Sequence, residues 1–169
     1  MSLTMYEISV PKLKHIMLTL NTILEKAIAF SEDKKIALDC LPTCRLIADM
    51  HPLSKQVQIV SDQAKGCVSR LAGQTAPVFE DNEQTLPELI ERLNKTIAYL
   101  DTFNAEKING TEDKEITIEV PNLTLKFTGQ KYVQDFVMPN VYFHFTTAYD
   151  ILRANGVVLS KRDFIGNIF

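Results

Sequence analysis

Apolar residues recur at steps of three and four along most of this chain, and a chain with that period must bury stripes of side chain between helices. The first stripe is Leu13, Ile16, Met17, Leu20, Ile23, Leu24, Ala27 and Ile28. A helix advances about 100° per residue, so these positions share one side. Ser9 followed by Pro11 reads as its start, because a hydroxyl caps free N–H groups and proline is tolerated in a first turn. It is expected to end near Phe30. A second stripe, Leu53, Val57, Val60, Ala64, Cys67, Val68 and Leu71, opens at Pro52 and closes at Gly73 with coiled-coil-like alternation. A third, Leu86, Leu89, Ile90, Leu93, Ile97, Leu100 and Phe103, follows a capping box of Thr85 and Glu88. The last helix is expected from about Gln130 to Asn155, capped by Thr128 and closed by Gly156, with a kink or break just before Pro139. Four such segments predict a mainly α fold, an antiparallel four-helix bundle.

Between the third and fourth helices the period drops to two. Ile116, Ile118 and Val120 alternate with polar residues, and Leu123, Leu125 and Phe127 do the same after Pro121-Asn122, which reads as a β-hairpin. Pro-Asn is not a preferred primed turn, so a loop longer than two residues is expected. Residues 36–50 read as a short helix and an irregular connection that packs Leu38, Leu41, Leu46 and Ile47 over one end of the bundle. Residues 74–84 form a polar connection pinned by Val78 and Phe79. The aromatic residues Tyr142, Phe143, Phe145 and Tyr149 point around most of the last helix, and the tail with Val158, Leu159, Phe164, Ile165, Ile168 and Phe169 is expected to cover it, unless a second subunit does.

With 169 residues, 46% hydrophobic, and one compositional regime, residues 1–169 are expected to form a single domain. The 18 basic and 21 acidic residues lie in small mixed groups, giving a net charge of −3 and no basic face, so nucleic acid is not expected as a partner. No apolar run approaches the ~20 residues that cross a bilayer, and the charged opening residues do not resemble a signal peptide, so no membrane partner and a cytoplasmic location are expected. Cys40, Cys44 and Cys67 then read as structural thiols, and the Asn-x-Thr triplets at Asn94, Asn109 and Asn122 as accidental.

The chemistry sits in the seams. Turning Val133, Val137, Val141, Thr147, Ala148 and Ile151 inward brings Asn140 and His144 to the same face, since residues four apart are neighbours. On the second helix, Gln56 and Gln63 lie beside the apolar seam, about two turns apart. Two readings follow: these four side chains satisfy one another around a water, or they line a pocket for a small polar ligand or a metal. One histidine among amides is a poor divalent-metal site, which favours the first. Asp62 is expected opposite the seam, and His15 on a solvated face. There is no phosphate-binding glycine loop, nucleophile elbow or isolated carboxylate pair.

Several stretches carry a resemblance: Ser9-Val-Pro-Lys, Ala48-Asp-Met-His-Pro-Leu, Gln56-Val-Gln-Ile-Val-Ser-Asp-Gln-Ala-Lys-Gly, Arg70-Leu-Ala-Gly, Phe79-Glu-Asp, Phe127-Thr-Gly, and above all Pro139-Asn-Val-Tyr-Phe-His-Phe-Thr-Thr-Ala-Tyr-Asp-Ile-Leu-Arg-Ala-Asn-Gly-Val. Over essentially the whole chain they resemble the domain-of-unknown-function family DUF1993, grouped with the DinB/YfiT-like four-helix bundles. The resemblance implies that fold and a homodimer. It also implies where a metal would sit, because metal-binding DinB-like proteins use one histidine on the second helix and a His-x-x-x-His pair on the last, ahead of Leu-Arg-x-x-Gly. Here Leu152-Arg153 and Gly156 supply the ending and His144 matches the second histidine of the pair. Asn140 replaces the first, Gln56 or Gln63 stands nearest the position on the second helix, and His51 is expected too far out. Losing two of three imidazoles removes most of the affinity for zinc or nickel. No cofactor is therefore expected, with a divalent metal on His144 as the alternative. The corresponding functions are an uncharacterised DinB-like bundle with a ligand pocket around His144, or a divergent metal-dependent transferase or isomerase. A third is a partner protein docking on Tyr142, Phe145 or Tyr149.

Overall fold

In the computed structural model, which describes residues 3–167, the four stripes are the long helices of a bundle. They are α1 (Met5–Lys34), α3 (Leu53–Ala72), α4 (Leu86–Leu100) and α7 (Met138–Ala154), with α1 packing on α4, α4 on α3, and α3 on α7. One-turn helices α2 (Cys40–Thr43) and α5 (Ala105–Ile108) interrupt the connections. Every residue of the α3 stripe is fully buried, from Leu53 to Leu71. Burial of each such side chain contributes ~1.5–3 kcal/mol before chain entropy offsets most of the sum.

Helix α1 starts earlier than expected. Thr4 and Glu7 form a capping box, with Glu7 N–H donating to the threonine hydroxyl and Thr4 N–H to the carboxylate at 2.8 Å. Ser9 is instead buried and donates to the Met5 carbonyl at 2.6 Å. Pro11 lies inside the helix, and because both it and Glu7 are exposed, the carbonyl it fails to satisfy faces water. At the other end α1 runs past Phe30 to a left-handed Lys35.

The hairpin pairs β1 (Glu115–Val120) with β2 (Leu123–Thr128), Val120 standing opposite Leu123. Its loop is therefore two residues, shorter than expected. Proline holds the first position at its fixed φ, and Asn122 takes φ 65°, which asparagine tolerates; this is the type II pattern rather than a primed one. Ile116 and Ile118 anchor the hairpin to the core.

The last helix breaks where expected, and the break has a form. Gly129–Lys131 (α6) leads into a π-helical stretch, Tyr132–Val137, in which Met138 N–H reaches back to the Val133 carbonyl. Pro139 has no N–H and its ring would meet the carbonyl four residues back, and a widened turn relieves both problems. Thr128 precedes α6 without a side-chain cap bond.

The tail covers α7 in part. Val157 and Leu159 are buried, and Phe164 of α8 (Lys161–Ile165) stacks on Phe145 with ring centres 4.4 Å apart. Ile168 and Phe169 lie outside the described residues. His15 is not solvated as expected: it is half-buried, and its Nε2 lies 2.8 Å from the Ile165 carbonyl. Gly166 approaches α1 so closely that a Cβ there would collide with the Thr19 hydroxyl. At the opposite end, Leu38 and Leu41 pack as expected, but Leu46 and Ile47 remain exposed.

Between α3 and α4 lies a buried arginine. The side chain of Arg92 is 1% exposed. It donates to Asp62 at 2.8 Å, to Glu83 at 3.0 Å, to the Glu80 carbonyl at 3.1 Å and to Ser61 at 3.2 Å. Asp62 thus lies at the α3–α4 seam and not opposite the core. The same cation, with Lys65, stands over the Phe79 ring, so the 74–84 connection is pinned by Phe79 and its carboxylates, while Val78 is 90% exposed. Thr96, part of the Asn94 triplet, is buried beneath with its hydroxyl 2.7 Å from Ser61. Removing the arginine strands carboxylates of which Glu83 is nearly buried. Arg92→Ala is expected to cost about 3 kcal/mol, the low end for a broken buried pair because Asp62 is partly exposed. The check is the urea unfolding midpoint, against a near-zero change for Lys34→Ala, whose Asp33 pair is exposed.

Candidate functional site at the α3–α7 seam

Val141 and Ala148 are buried in α7, and His144 lies between them on the same face at steps of three and four. On α3, Gln56 lies between Leu53 and Val57 and is itself buried. The two side chains meet across the seam, His144 Nδ1 being 2.6 Å from Gln56 Oε1. The other end of the amide donates to the His51 carbonyl at 3.0 Å. His144 is half-buried, with the Phe143 ring edge-on at 5.1 Å.

Burial lowers the basicity of His144, and His51 lowers it further. His51 lies beside the pair through its backbone carbonyl, which accepts from Gln56. The other predicted members do not join the pair. Asn140 is partly buried, and its amide donates to the Phe136 carbonyl of its own helix at 2.7 Å. Gln63 is partly buried on α3, and among the described residues no hydrogen bond links it to His144 or Gln56.

The donor set can be tested against the metal that the DinB resemblance implies. One imidazole and one carboxamide meet here, with an imidazole nitrogen turned to an amide oxygen. Among the described residues no three histidine, cysteine, aspartate or glutamate side chains are grouped so that they could hold a metal ion. These residues do not fit a three-histidine zinc or nickel centre. The thiols lie elsewhere: Cys44 donates to the Cys40 carbonyl at 3.4 Å, and Cys67 is buried in the α3 seam, its pKa pushed up to about 12 by burial.

The family profile of the domain of unknown function DUF1993 matches residues 5–165. The chain belongs to the DUF1993 family. A crystal structure of a DinB family member protein from Shewanella denitrificans is 40% identical to this DUF1993 chain and superposes with a TM-score of 0.86. The likeness covers 96% of this chain and 92% of that one, so the bundle is DinB-like as the sequence resemblance implied. No curated protein matches. No helix of the described residues is long and apolar enough to cross a membrane.

Surface hollows lie around the bundle among the described residues. Two flank the tail at His15, one of about 460 Å³ with Thr19 and Arg162 and one of about 450 Å³ with Pro11 and Tyr142. A third, of about 410 Å³, is lined by His51, Lys55, Gln58 and Asp81 beside the start of α3. The fourth, about 250 Å³, borders Phe79. Sequence reasoning also missed Arg92, although a signal existed: Leu89, Arg92, Leu93, Thr96 and Leu100 continue the helical period, which places the arginine on the buried face.

A titration follows from the lowered basicity of His144. Below its ordinary value of 6.5 the unfolded chain binds a proton there that the folded chain resists. Stability from this group is present at higher pH and falls as pH drops from 6.5 towards the folded value. Denaturant unfolding at pH 7.5 and 5.5 is expected to show a larger acid loss for the wild type than for His144→Gln.

Proposed function

We propose that this DUF1993 protein is a small-ligand-binding bundle that works through His144, without the three-histidine metal set, as a single-domain homodimer in the cytoplasm. One observation carries the reading: the 2.6 Å contact with Gln56 holds a half-exposed imidazole at the α3–α7 seam, where its second ring nitrogen has no protein partner among the described residues. Such a nitrogen is a ready acceptor, and its carrier is rigid because both helices are pinned by buried side chains. The site coincides with the last-helix position that the DinB resemblance assigns to a histidine ligand, with amides at the other two positions.

The homodimer rests on Tyr142 and Phe143, which are 46% and 56% exposed on the outer side of α7. Phe145, considered above as a docking residue, is covered by Phe164 and does not contribute. The free thiols of Cys40 and Cys44 suit a reducing compartment.

Metal analysis tests the central claim. Protein purified without a histidine tag is expected to carry well under one equivalent of zinc or nickel, and His144→Ala to leave that content unchanged. Stoichiometric metal lost in the variant would instead favour a divergent metal-dependent transferase or isomerase. Light scattering at micromolar concentration is expected to give roughly twice the 19.1 kDa of the chain, and a strictly monomeric mass would reject the dimer.

A further inference from the structure

The surroundings of Gln56 determine which ring nitrogen of His144 carries the proton. A backbone carbonyl only accepts, so the end of the Gln56 amide that lies 3.0 Å from the His51 carbonyl is the nitrogen. The opposite end is therefore the oxygen, and it lies 2.6 Å from His144 Nδ1. An amide oxygen has no proton to give. The proton in that contact sits on Nδ1, which leaves the neutral ring with its lone pair on Nε2.

Asn140 is constrained in the same way. Its Nδ2 is committed to the Phe136 carbonyl at 2.7 Å, so its oxygen is the end left over, one turn from His144 on the same helix. The open acceptor of the pair is the imidazole lone pair on Nε2. Lys55, the neighbour of Gln56 in the chain, is held by Asp81 at 2.6 Å.

We propose that Gln56 is a positioning residue that locks His144 as the Nδ1–H tautomer, and that the ligand received at Nε2 is a small hydrogen-bond donor, an alcohol or amine rather than an anion. The ligand half of this inference rests on the reading of His144 as a small-ligand site, whereas the tautomer half stands on the amide geometry alone. A carboxylate brings only acceptors to an acceptor, and its approach would require protonation of a ring that burial keeps neutral. A hydroxyl or ammonium group completes the open nitrogen.

The test uses the full-length protein labelled with ¹⁵N in its histidines at pH 7.5. His144 is expected to show a protonated-type Nδ1 and an unprotonated-type Nε2, and Gln56→Leu to revert to the Nε2–H form. Gln56→Glu, which keeps an acceptor at the same place, is expected to retain the wild-type pattern at pH 8.5. Ethanolamine is expected to shift Nε2 saturably, and acetate to leave it unmoved. A wild-type Nε2–H ring would overturn both the tautomer lock and the donor ligand class, because Nε2 would then donate, and would leave the small-ligand reading of His144 standing. The expected tautomer with a response to acetate instead of ethanolamine would overturn the ligand class and leave the site standing. No response to either probe would remove both the ligand class and the small-ligand reading beneath it.

Discussion

The buried seam of α3 is the constraint on which the remaining architecture depends. From Leu53 to Leu71 its apolar residues are closed off from water, and both polar devices of the molecule are attached to its flanks. On one flank Ser61 and Asp62 receive Arg92 from α4, and on the other Gln56 receives His144 from α7. A shift of α3 by one residue would turn these side chains by about 100° and break both contacts. Apolar burial therefore sets the register, and the polar contacts are consequences of it.

The two devices resemble each other in origin and differ in saturation. Each places a polar side chain on a face that the helical period reserves for the core. Arg92 is surrounded by carboxylates, a hydroxyl and a carbonyl, which together account for every nitrogen of its guanidinium. Such closure ties the 74–84 connection to the bundle. His144 has one nitrogen engaged and the other unpartnered among the described residues. Incomplete saturation at a half-exposed position is what separates a candidate site from a structural network.

Membership in DUF1993 and the likeness to the DinB family structure establish a common scaffold, but a scaffold does not carry a reaction with it. At the α3–α7 seam this chain brings together one imidazole and one amide. A carboxamide binds a soft or borderline cation poorly yet orients a neighbouring ring well.

Much of the bundle was legible as a one-dimensional pattern. The stripes of α1, α3, α4 and α7, the Thr85–Glu88 cap, the hairpin and the break before Pro139 follow from local periodicity and local hydrogen-bonding capacity, which depend on near neighbours in the chain. His144 and Gln56 were legible as inward-facing residues for the same reason. Which of the four candidate side chains would meet was not, since Asn140 found a carbonyl on its own helix and Gln63 fell outside the contact. The start of α1 was misplaced because two competing caps lay five residues apart, and only the burial of Met5 and Ser9 decides between them. Arg92, the clasp of His15 on the tail and the nearness of His51 were settled by tertiary structure, because each joins residues distant in the chain. Periodicity tells which face of a helix is inward; only the packed arrangement of several helices tells what it meets there.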